Sequence, residues 1–93
     1  MSTDPAVRRE ECRREVLRYL AERAALAFPA ATIRRKLRFD GDDFSDAEID
    51  AALQFLLGLS EPQIKTRDDP HGVTKYYQAS SAGVLAHERR RYL

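Results

Sequence analysis

Residues 62–87, PQIKTRDDPHGVTKYYQASSAGVLAH, constrain the fold most, because they read as two short strands around a tight turn with a capped helix following at once. Residues 63–67 alternate apolar or Thr positions with charge, and the DDPHG cluster at 68–72 supplies turn chemistry. Residues 73–78 are rich in β-branched and aromatic side chains, as a second strand requires. Ser80 stands as the N-cap of a helix that the sequence places over 81–92, so strand passes to helix with almost no linker.

Upstream of the hairpin the period changes to that of helices. Between residues 6 and 26, Cys12, Val16, Leu17, Leu20 and Ala24 recur every three or four positions, while Arg8, Arg9, Arg13, Arg14, Arg18 and Arg23 fall mostly elsewhere. Phe28-Pro29 breaks this helix. A second, shorter one is expected over 30–38, with Ile33 and Leu37 inward and Arg34, Arg35, Lys36 and Arg38 on a basic polar side. The stretch FDGDDF at 39–44 is a turn, and Ser45 with Glu48 three residues later is a capping-box signature for a third helix over 46–58. That helix carries Ile49, Ala52, Leu53, Leu56 and Leu57 as its core stripe, which turns Ala47, Asp50, Ala51 and Gln54 outward, with Glu48 and Phe55 partly so. Gly58 is the expected stop.

The 93 residues suffice for one domain, spanning 1–93, with a single modest core. The one cysteine, Cys12, excludes an internal disulfide and falls on the apolar side of the first helix, where buried packing is its expected role. No run of about 18 apolar residues exists and the N-terminal stretch lacks the apolar segment of a secretory signal, so a cytoplasmic protein without membrane partners is expected. Net charge is only +1, but it is unevenly spread. Residues 1–38 hold 10 bases and 5 acids, residues 39–62 hold 7 acids and no base, and residues 63–93 hold 6 bases and 3 acids.

The order of three helices, hairpin and helix resembles the winged helix-turn-helix domains of bacterial transcription regulators, a mainly α fold with a small β-hairpin. The resemblance covers nearly the whole chain. At the hairpin's exit, Tyr77-Gln78-Ala79-Ser80-Ser81-Ala82-Gly83 is similar to the Tyr-x-Leu-Thr-x-x-Gly stretch of MarR-like and PadR-like regulators, with Ala79 where the aliphatic residue stands. Physically, a hydroxyl at Ser80 starts the closing helix, and a missing side chain at Gly83 lets it approach the sheet. The resemblance implies a DNA-binding regulator whose third helix enters the major groove and whose wing and second helix touch the backbone.

For phosphate contact the candidates are Arg34, Arg35, Lys36 and Arg38 on the second helix and Lys65, Arg67 and Lys75 on the hairpin. The same arginines also suit simple solvation of helix faces, with Glu10, Glu11, Glu15 and Glu22 as local partners. The third helix offers no base on its outward side, and carboxylates facing phosphates oppose the counterion release that drives non-specific binding. A second reading is therefore an interaction module that has kept this fold and lost DNA binding, presenting Asp50, Ala51, Gln54 and Phe55 to a protein partner. A homodimer through the first helix and the closing residues, with Tyr92 and Leu93 buried between chains, is also expected.

Neither catalysis nor a cofactor is expected. No nucleophile stands with a base, and no glycine loop is shaped for phosphate. The loop at 40–43 departs from a calcium-binding loop, with Ser45 where its glycine and Ala51 where its bidentate glutamate belong. Cys12, His71 and His87 are too scattered to hold a metal, and His71 reads as a turn residue.

Overall fold

The computed structural model describes residues 4–41 and 43–91, which form four helices and a three-stranded antiparallel sheet. In chain order these are α1 (Pro5–Ala21), β1 (Phe28–Pro29), α2 (Ala30–Phe39), α3 (Asp46–Leu57), β2 (Ile64–Asp68), β3 (Lys75–Ala79) and α4 (Ser81–Glu88). The sheet order is β1-β3-β2, so the hairpin's second strand is central and β1 reaches it from between the first two helices. Tyr92 and Leu93, expected at a dimer interface, and Asp42 of the acidic loop lie outside the described residues.

The helices begin where capping chemistry places them. Asp4 accepts the Ala6 N–H at 2.9 Å with Pro5 at the first helical position, where a missing N–H costs nothing. Ser45 Oγ accepts from Glu48 N at 3.1 Å while the Glu48 carboxylate takes Ser45 N at 2.9 Å, a complete capping box. Ser80 Oγ accepts from Gly83 N at 3.1 Å and donates to the Pro62 carbonyl at 2.6 Å, tying the start of α4 to the entry of β2.

Two helix ends differ from the sequence expectation. The first helix stops at Ala21 rather than 26, because the chain must turn to bring Phe28 and Pro29 opposite Tyr77 and Tyr76. The buried Gln78 side chain donates to the Ala24 carbonyl at 2.7 Å, and Phe28 packs on Tyr19 with ring centroids 5.2 Å apart. These tertiary contacts outweigh the helix propensity of the alanine-rich stretch. The last helix ends at Glu88 rather than 92 in a Schellman arrangement, with Arg91 N donating to Ala86 O at 2.8 Å and Arg90 N to His87 O at 3.1 Å. Arg90 holds the left-handed position, φ 55°, that glycine normally fills.

The hairpin is anchored at one end and built around a defined turn at the other. Asp69, Pro70, His71 and Gly72 make the turn, with Gly72 N donating to Asp69 O at 2.7 Å and His71 N to Asp69 Oδ1 at 3.3 Å. Pairing sets Ile64 opposite Ala79, both buried, and the exposed Thr66 opposite the buried Tyr77. The core itself joins Val16, Leu17 and Leu20 of α1, Ile33 and Leu37 of α2, Ile49, Leu53 and Leu56 of α3, and Ile64 of β2, all at most 1% exposed. Cys12 is buried among them, with Sγ 3.5 Å from the Glu48 carbonyl oxygen. Phe44, read from sequence as part of a turn, is buried as well. No helix among the described residues is long and apolar enough to cross a membrane.

Candidate functional site

α3 is held with its expected faces, except that Leu57, expected in the core stripe, is only half-buried at the helix end. Ile49, Ala52, Leu53 and Leu56 point into the core, while Ala47, Asp50, Ala51 and Gln54 are exposed and Phe55 is half-buried. Its N-terminal half carries Asp46, Glu48 and Asp50, and each of these carboxylates meets an arginine from a neighbouring helix. From α2, Arg34 Nη1 donates to Asp50 Oδ1 at 2.9 Å and Arg38 Nη2 to Asp46 Oδ1 at 2.8 Å, with Arg34 Nε also 3.6 Å from Asp46. From α1, Arg8 takes both Glu48 oxygens in a fork, Nη2 to Oε1 at 3.0 Å, and reaches the Asp43 carbonyl.

Two of the three α2 arginines expected on a phosphate surface, Arg34 and Arg38, are thus engaged in ion pairs with α3. Arg35 and Lys36 on the same helix are exposed and, among the described residues, face no carboxylate within ion-pair distance. Lys65, Arg67 and Lys75 on the hairpin are likewise exposed and outside any ion pair among the described residues, but they do not share one face. Lys65 lies opposite Gln78 and Arg67 opposite Tyr76, on the side away from the core, whereas Lys75 lies opposite Asp68 on the other side. Arg67 Nη1 donates to the Gln78 side-chain oxygen at 3.4 Å.

The interaction patch read from sequence is reduced by its neighbours. Asp50 is held by Arg34, and the Arg13 guanidinium lies 3.5 Å from the centre of the Phe55 ring. Ala51 and Gln54 remain as its open part. Sequence reading did not connect Arg8, Arg9 and Arg13 with α3, because separations of roughly 40 positions give no periodic signal. All three line a cleft between α1 and α3. Among the described residues no group of three His, Cys, Asp or Glu side chains is arranged to hold a metal ion.

The Arg8 fork and the Ser45 N–H hold the Glu48 carboxyl well below its usual 4.5, at about 2. Because the folded value is depressed, the unfolded chain binds the proton more readily between these two values. The stabilisation is therefore complete above about pH 4.5 and is lost as the pH falls towards about 2. Glu48→Gln preserves the capping geometry but removes the charge. We expect the wild type's advantage over this variant, on the order of 1 kcal/mol after solvent screening, to vanish across that window. Urea melts of both proteins at stepped pH check it, and parallel pH profiles would contradict it.

Compared with known protein families, characterised proteins and solved structures, the chain gives no match to any.

Proposed function

We propose that the chain is a winged helix-turn-helix domain that binds duplex DNA in the manner of a small bacterial transcription regulator, without enzymatic activity, holding the phosphate backbone through its hairpin and α2. The order α1-β1-α2-α3-β2-β3-α4, with β1 added to the hairpin, supports the fold reading. One observation carries the functional reading: the carboxylates of α3 are already neutralised. Asp46, Glu48 and Asp50 each sit in an ion pair, so at distances longer than the pair separation itself they present dipoles rather than unit negative charges to a duplex. The repulsion that an acidic third helix would exert is largely cancelled within the protein.

The cations left over on α2 and the hairpin are Arg35, Lys36, Lys65, Arg67 and Lys75, all exposed. Asp68 and Asp69 give the hairpin's far end the opposite charge, so phosphate contact belongs to its strands rather than its tip. With Asp50 and Phe55 already occupied by arginines, less surface is left for the competing protein-docking reading.

Fluorescence anisotropy with a duplex of random sequence tests the proposal. Affinity is expected to fall steeply with salt, and replacing Lys65, Arg67 and Lys75 together by Ala should lower the slope of log affinity against log salt by roughly 0.9 for each phosphate that the variant no longer neutralises. Asp50→Ala releases Arg34 and should leave affinity unchanged or raise it. Absence of binding at low salt, or a triple variant indistinguishable from wild type, would overturn the reading and bring the interaction module forward.

A further inference from the structure

We infer that Arg9 and Arg13 form a second phosphate-binding site on the α1 side of α3, gripping the DNA strand opposite the one met by α2; this rests on the DNA-binding reading above. A cleft of about 350 Å³ opens between α1 and α3, with Pro5, Arg9 and Arg13 on one side and Ala47 and Ala51 on the other. Arg8 and Glu48 also line it and neutralise each other, so Arg9 and Arg13 leave the cleft with a net charge of +2.

Neither arginine has a carboxylate within ion-pair distance among the described residues. Arg13 is held instead by stacking 3.5 Å from the centre of the Phe55 ring. Stacking occupies the face of a guanidinium and leaves its N–H edge available, which is the geometry that suits a phosphate. The alanine wall complements the apolar face of a deoxyribose, and its short side chains allow the backbone to come close.

Placement of charge around α3 favours a duplex as the occupant. Asp46 and Asp50 turn towards α2 and its bases, whereas Ala47 and Ala51 face the cleft, so arginines flank the exposed ridge of α3 on both sides. A helix lying in a major groove about 12 Å wide has a phosphate strand on each flank. Arg35 serves one strand, and Arg9 and Arg13 serve the other.

Anisotropy titrations over a salt series, with the same random duplex, decide the matter. Arg9→Ala alone should lower the salt slope by about 0.9 and Arg9→Ala with Arg13→Ala by about 1.8, while Arg9→Lys with Arg13→Lys should keep it near wild type. Arg14→Ala, outside the cleft on the same helix, should change it little. The single Arg9 variant leaves the Phe55 stack intact, so its result is independent of any loss of stability at Arg13. If the wild type binds with a steep slope that the Ala variants retain, the second site is wrong while the DNA reading stands. A wild type that fails to bind at low salt overturns both. Displacement of the duplex by poly-L-glutamate at equal charge concentration, abolished in the Ala variants, would reassign the cleft to an acidic polypeptide.

Discussion

Gly83→Ala is expected to destabilise the domain by about 3 kcal/mol or more, despite placing a better helix former inside α4. A Cβ built at this position comes 1.9 Å from the Gln63 carbonyl oxygen, 2.9 Å from its carbon and 3.1 Å from Leu17 Cδ1. The first neighbour is backbone, and it is pinned: Gln63 O accepts from Ser80 N at 3.0 Å, and Gln63 N donates to Leu56 O at 3.2 Å. Relief requires α4 to lift away or the entry of β2 to shift, and either movement breaks the bond that joins them. The helix-propensity gain of about 1 kcal/mol works in the other direction and is too small to offset this. Urea denaturation monitored by far-UV circular dichroism gives the difference directly. A variant as stable as wild type would mean that α4 does not pack on β2 this closely.

The close approach at Gly83 was legible through the resemblance of the Tyr77–Gly83 stretch to that of the regulators, whereas the caps at Ser80 and Ser45 were legible as local patterns. Both lie within one turn of helix, where spacing alone determines which groups meet. β1 was not legible: two residues carry no alternation, and Pro29 reads first as a helix breaker. Its existence depends on β3, nearly fifty positions away. Arg90 gave no signal either, because the left-handed cap that ends α4 is normally announced by glycine. The pairing of Arg34 and Arg38 with Asp46 and Asp50 was missed for a related reason. Zones of opposite charge were visible along the chain, but only the packing of α2 against α3 converts two zones into ion pairs, so the third helix carries less free negative charge than its sequence alone implies.

Leu53→Ala is expected to cost about 2 to 5 kcal/mol, and Gln54→Ala, one position along, no more than about 0.5 kcal/mol. Leu53 is 1% exposed in the middle of α3, the helix that packs against α1, α2 and β2, so the cavity it leaves cannot close by movement of one neighbour. Gln54 is exposed, and its truncation opens no cavity. In a domain of this size the Leu53 loss corresponds to a fall in melting temperature of roughly 10 °C or more. The functional consequence separates the two residues in the opposite sense. While the Leu53 variant remains folded, its ridge of Ala47, Ala51 and Gln54 keeps its position, so any loss of duplex affinity should match the unfolded fraction and leave the salt slope unchanged. Gln54→Ala should keep the stability and the slope, and should lose affinity only for a duplex that offers an adenine edge to the glutamine. Equal stability losses at the two positions in urea melts would mean that α3 is rotated about its axis, and would undo the proposal of which side chains face a duplex.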